Sequence, residues 1–420
     1  MMRRIRPVFL SLALGAGLLV VFWFLPRTGF AQPVKTSSIG GTFPIATVPG
    51  NNELSPAVAY DEGRNRYLVV NQNESTLNGT CMTAAGDTLA SYVIGTGENP
   101  DVVYNVHIDQ YLVVWDNGVN IEGAYVSGTC CMLVGCNGAP FAISGDRPGL
   151  EYNPAVAYNH HASHKDYLVV WMEDGGLSDH WAVYARRVTS LTLSGSSFAI
   201  TDTTSAWNYE PDVTYNLNRN EYMVVYTNDR SKGLDQDARD IYGRRVYNVG
   251  GGGLLAEHAI DTSGNGQDQP SVAAYRLNTG TPYVVVFRDH WNDVAGDVRG
   301  YLVDGDGFPV SLLNIATIPG VPEGQPDIAS SEVMGGYVVA WTESTGPGSD
   351  IYARRMNDTG GMQGVLGVTT LSDYEERPAV AGGVPVPLAV WHSWNGGDWD
   401  VYGRFLYWQA YLPLALRDSP

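Results

Sequence analysis

The sequence predicts an all-β chain folded as a seven-bladed β-propeller, each blade a sheet of four antiparallel strands. Three observations predict it. First, a proline opens a near-identical short run: SPAVAY at 55–60, NPDVVY at 99–104, NPAVAY at 153–158, EPDVTY at 210–215 and QPSVAAY at 269–275, continued by QPDIAS at 325–330 and RPAVAG at 377–382. Pro56, Pro100, Pro154, Pro211, Pro270, Pro326 and Pro378 lie 44, 54, 57, 59, 56 and 52 residues apart, so seven units fill the chain after its N-terminus. Second, an intensely apolar run follows each proline segment. Third, 49 Gly, 25 Tyr and 11 Trp in 420 residues favour many turns and strands over long helices.

The proline run is the first strand of each unit. The second is YLVVN at 67–71, YLVVW at 111–115 and 167–171, YMVVY at 222–226, YVVVF at 283–287, YVVAW at 337–341 or PLAVW at 387–391. Both alternating faces of that strand are apolar, so it must be covered on both sides by neighbouring sheets. AVYARRV at 182–188, DIYGRRV at 240–246, DIYARRM at 350–356 and DVYGRFL at 400–406 give the third strand, and FAIS at 141–144, FAIT at 198–201 and LNIAT at 313–317 the fourth. Four short strands per unit of about 50 residues, with Gly, Asn and Asp between them, describe a propeller blade. The seventh unit runs out before a fourth strand, while GGTFPIAT at 40–47 has the fourth-strand pattern and precedes the first unit. The N-terminal strand is therefore expected to complete the last blade and remove two open sheet edges.

Arg3, Arg4 and Arg6 before an apolar run from Val8 to Leu25, with Gly29-Phe30-Ala31 after it, read as an export signal over 1–31, cleaved before Gln32. The propeller then occupies 32–406, with repeats starting near 55, 99, 153, 210, 269, 325 and 377, and a tail follows at 407–420. The expected location is secreted or cell-surface, with no membrane segment beyond the signal, and the expected state is a monomer. Asn73, Asn78 and Asn357 sit in N-x-S/T sequons. In an exported chain the four cysteines, Cys81, Cys130, Cys131 and Cys136, are expected to form disulfides. Neighbouring Cys130 and Cys131 reach disulfide geometry only with strain, so one pairs with Cys81 and the other with Cys136. Zinc is the rival reading, without C-x-x-C spacing to support it. A net charge of −19 excludes binding to a phosphate backbone.

The repeats resemble those of exported bacterial β-propeller proteins built from VAYN…YLVVW…DIYGRRV units, over about 48–406, with more distant similarity to TolB-type and sialidase-type propellers. The S-x-D-x-G-x-T-W box of sialidases is absent. The resemblance implies the fold and export and carries no particular activity. The YLPLALR segment at 411–417 resembles tails of other exported bacterial proteins, which implies sorting; the alternative is an apolar end packed on the last blade.

No nucleophile elbow, H-E-x-x-H, Walker A or dinucleotide fingerprint is present. DGDG at 304–307 suggests structural calcium but sits in a strand-to-strand turn and lacks the later bidentate Glu, so no cofactor is expected. Propellers bind through the loops joining fourth to first and second to third strands. Trp115, Trp171, Trp341 and Trp391 end second strands and read as core, whereas Trp181, Trp207, Trp291, Trp394 and Trp399 fall in the face loops without repeating. Aromatic faces beside carboxylates suit sugar rings, so these five are the candidate ligand-binding residues, for a glycan or an extracellular protein. The first reading is a non-catalytic binding or scaffold propeller. The alternative is a polysaccharide-active hydrolase or lyase using Glu173, Asp289 and Glu343 on the same face. Asp116, Asp174, Asp229 and Asp289 are read as one repeated position, and Arg186-Arg187, Arg244-Arg245 and Arg354-Arg355 as partners of such acids between blades.

Overall fold

The computed structural model describes residues 41–408 except 130–137, 162–165, 176–179, 190–192, 202–205, 232, 234, 248–252, 276, 279, 291–294, 345 and 370–372. Among the described residues twenty-eight strands form seven four-stranded antiparallel sheets. Six sheets run from an inner strand outward in chain order, and the seventh takes its outermost strand from the N-terminal side. The seven inner strands touch one another in sequence until the last touches the first. Phe43–Ala46 is the fourth strand of the seventh blade, paired antiparallel with Trp399–Phe405 through Phe43↔Gly403 and Ala46↔Val401. Gly403 permits this close approach, because a Cβ there would meet Ile45 at 2.7 Å. The expected ring closure is present.

Seven hydrophobic clusters fill the seven interfaces between neighbouring blades. Their centres are the second strands, buried on both faces as the unbroken apolar runs require. Trp115, Trp171, Trp341 and Trp391 are fully buried there, with Tyr226 and Phe287 at the same place in the fourth and fifth blades. Trp408, at the start of the tail, packs on the cluster between the sixth and seventh blades. Cys81 is buried in the third strand of the first blade; Cys130, Cys131 and Cys136 lie outside the described residues. Among the described residues no helix is long and apolar enough to cross a membrane.

Each proline marks a bulge. The residue before it has φ between 47° and 55° in all seven blades (Ser55, Asn99, Asn153, Glu210, Gln269, Gln325, Arg377), and the register to the second strand slips there each time. Proline has no N–H to give the ladder, so two residues oppose one. A left-handed non-glycine residue costs ~1–3 kcal/mol, which bonds to the next blade offset. Gln269, Gln325 and Arg377 donate their backbone N–H to the side chains of Glu210, Gln269 and Gln325 (2.9, 2.8 and 2.9 Å), and Arg377 reaches Ser55 Oγ at 3.1 Å. Asp116 accepts from both Asn99 and Asn153.

One residue further on, Asp101, Asp212 and Asp327 each accept from their own strand's next N–H and from that of the following blade (Val156, Val272, Val380). The Arg pairs depart from expectation. Their first members, Arg186, Arg244 and Arg354, donate to backbone carbonyls of the preceding blade at Ile143, Ile200 and Ile315, and Arg404 does the same at Val368. The second members hold their own blade at Asp166, Glu221 and the Met334 carbonyl. Arg187 and Arg245 also donate to the next blade at the Tyr247 and Gly305 carbonyls, with Asp306 of that blade 3.8 Å from Arg245. A carbonyl offers an acceptor at the same height in every blade whatever the sequence, so it outcompetes scattered acids.

Candidate functional site

The inner strands begin, and the second strands end, on one face of the ring. There a cleft of about 280 Å³ opens between the third and fourth blades. Two of the five face tryptophans meet in it: Trp181, the first residue of the third blade's third strand, and Trp207, the first residue of the fourth blade's inner strand. Both are half-buried. Trp181 leans on Tyr152, with ring centroids 5.9 Å apart. The Trp207 ring lies on Gly233, where a Cβ would sit 2.6 Å from it and where φ is +84°, so glycine is required twice over.

Tyr209, two residues after Trp207 on the same strand face, adds a third ring, with the Arg239 guanidinium 5.6 Å from its centroid. The polar lining is Glu210, Asp229, Arg239 and Asn153. Asp229 is saturated: Oδ1 accepts from the Ser231 amide and hydroxyl, and Oδ2 from Tyr209 and the Gly233 amide (2.6–3.1 Å). Arg239 lies between Asp229 (3.6 Å) and Asp268 (3.2 Å), and Arg288 grips Asp268 with two bonds of 2.7 Å. Glu210 is the bulge residue of the fourth blade. Its Oε2 accepts from Thr227 and from the Gln269 amide, both at 2.9 Å. Burial, reinforced by the Asp268 carboxylate, pushes its carboxyl up from the ordinary range.

The other predicted residues do not join this cleft. Trp394 and Trp399 form a cross-strand pair in the seventh blade, 5.7 Å apart, with His392 edge-on to Trp399. His392 accepts from the Ser55 amide, and burial draws its pKa down to about 3. Trp291 lies outside the described residues. Trp181 and Trp399 occupy one register, each opening a third strand, so the five are less irregular than their loops suggest. Glu173, Asp289 and Glu343 are buried on the second strands of three different blades. Glu173 is held by Arg147 at 2.7 Å, Asp289 by Arg299 at 2.9 Å, and Glu343 accepts from Trp341 Nε1 at 3.3 Å. Of the four aspartates expected to share a position only Asp174 and Asp229 do, facing Leu150 and Trp207, each four residues before the proline. Asp289 and Asp116 face Gln267 and Glu98, three and two residues before it. A one-residue offset moves a strand side chain to the other face.

Sequence reasoning missed the buried glutamates three residues before the proline, Glu53, Glu151, Glu323 and Glu375. Glu53 and Glu323 cap the incoming loop by accepting from the Val48 and Ile318 amides. In the 304–307 turn Asp304 accepts from the amides of Asp306 and Phe308, and Asp306 pairs with Arg219. Among the described residues no group of three or more His, Cys, Asp or Glu is placed to hold a metal ion.

No family model and no curated protein matches the chain. Solved structures do. The Myceliophteria thermophila Cps50 (Swd1) β-propeller domain is 8% identical, with a TM-score of 0.53 over 87% of this chain and 98% of that one. The polysaccharide lyase Uly1 is 9% identical, with a TM-score of 0.53 over 88% and 99%. The Hadza microbial sialidase Hz136 is 10% identical, with a TM-score of 0.49 over 84% and 75%. The chain is thus distantly similar in structure to β-propeller proteins, among them a polysaccharide lyase. At these identities the likeness extends to the fold alone.

Proposed function

We propose that the protein is an exported, non-catalytic recognition propeller that binds a neutral or amino-sugar chain in the cleft between its third and fourth blades. One observation carries this reading: Trp181, Trp207 and Tyr209 converge from two blades on one polar-floored cleft. Flat rings take the apolar faces of sugars, while Glu210 and Asn153 are placed among them to meet hydroxyls. The charge of the site argues for the sugar class. Asp229 and Asp268 match Arg239 and Arg288 in charge and already engage both guanidinium groups. A carboxylated sugar would find no uncommitted arginine among the described residues of the cleft.

Glu210 also favours a second reading, a hydrolase on the same face, since a carboxyl pushed up by burial is suited to donate a proton. Glycoside hydrolysis ordinarily uses two carboxyl groups about 5–10 Å apart, and the cleft's other carboxylate, Asp229, has its oxygens occupied. Binding is therefore the better-supported reading. The test is calorimetric titration of the protein with neutral, amino and uronic oligosaccharides, combined with analysis for new reducing ends or unsaturated products. Saturable binding of a neutral or amino sugar without products supports the reading. Product formation overturns it in favour of catalysis, and preference for uronic chains overturns the charge argument.

A further inference from the structure

The opposite face of the ring holds a second cavity, about 310 Å³, framed by the turns between first and second strands. Six residues standing six positions after the blade prolines line it: Glu62, Val106, His160, Leu217, Glu332 and Val384. The seventh, Arg276, lies outside the described residues. The second residue after each proline is Val or Ile in all seven repeats, whereas this position changes chemistry from blade to blade. The change is ordered around the ring. Glu332, Val384 and Glu62 belong to consecutive blades six, seven and one, and Val106, His160 and Leu217 to consecutive blades two, three and four.

The wall beneath this crown is aromatic. Tyr60, Tyr104 and Tyr215 each donate a hydroxyl to a residue of their own turn, Asn65, Asp109 and Asn220, at 3.0, 2.9 and 2.7 Å. With the phenol oxygens tied into the turns, the rings line the cavity as apolar surface. His160 extends it by stacking on Tyr215, with centroids 6.1 Å apart. Val384 is 44% exposed, although a hairpin turn gives no folding reason for an apolar side chain.

We propose that this mouth is a second binding site, for a small amphiphilic cation. Its hydrocarbon part lies on the Val106–His160–Leu217 arc against the tyrosine rings, and its ammonium group faces the arc of Glu332, Val384 and Glu62. Aromatic faces and carboxylates attract the same ammonium group. A net charge of −19 adds a field that draws cations and repels anions of equal size.

The test uses octyltrimethylammonium below its micelle concentration, with octyl sulfate as the anion of the same chain, titrated calorimetrically into the full chain. Saturable binding of the cation alone is expected. E62Q/E332Q should weaken it by at least about tenfold, the loss of a charge-assisted contact, with melting unchanged. V106S/L217S should weaken it too, with some loss in melting because both side chains pack on the clusters between blades. Binding in W181A/W207A should equal wild type, which separates this site from the glycan cleft. Equal binding of the sulfate, unchanged affinity in E62Q/E332Q, absence of saturable binding, or loss of binding in W181A/W207A would each overturn the proposal.

Discussion

Glu210 joins ring and cleft in one side chain. Its Oε2 ties the fourth blade to the fifth through the Gln269 amide and also receives Thr227, while the residue lines the cleft beside Trp207. Glu210→Gln retains an acceptor oxygen for both donors and removes the burden of a buried charge, so melting should hold or rise. Glu210→Ala leaves a buried amide and hydroxyl unpaired and should cost about 1–3 kcal/mol. Chemical denaturation of the two variants checks this, and equal stability would contradict the staple. Glu210 was hidden in the sequence because it reads as one more residue before a repeated proline. What distinguishes it is being the lone acid at that position among Ser, Asn, Gln and Arg.

The strands were legible because each carries its own evidence: a proline, an unbroken apolar run, an Arg-bearing third strand. The bulge was not, because a left-handed φ leaves no mark on composition when Ser, Asn, Glu, Gln and Arg all adopt it. The cleft was not legible either. Trp181 and Trp207 belong to different blades and meet only through the packing of two sheets. The Phe43–Ala46 strand makes the sharpest prediction at this scale. Deleting residues 32–48 strips the last blade of its outer strand, exposes Phe405 and Gly403, and removes the Val48 amide that caps Glu53. The truncated protein should melt well below the intact one in a thermal scan. An identical melting temperature would mean that the ring does not depend on this strand.

The whole molecule should lose stability as pH rises. Burial pushes the carboxyls of Glu53, Glu151, Glu375, Asp101 and Asp212 up to about 7. A carboxyl with a raised folded pKa binds its proton more tightly when folded. Its contribution is complete below the unfolded value and is lost as pH rises through the folded one. His392, drawn down to about 3, acts in the opposite sense, its contribution being lost as pH falls; five carboxyls outweigh one imidazole. Melting temperature should therefore fall between about pH 5 and about pH 8, and a rise over that interval would contradict the assignment.

The aromatic residues fall into two sets, one packed between blades and one lining the cleft where we propose that a ligand binds. A paired measurement of melting and oligosaccharide affinity on Trp171→Ala and on W181A/W207A tests that division most directly. Trp171→Ala should cost about 3–5 kcal/mol as a large core deletion. W181A/W207A should cost about 1 kcal/mol per site and abolish binding. If W181A/W207A melts as low as Trp171→Ala while affinity stays unchanged, the face tryptophans are packing residues and the cleft is not the binding site.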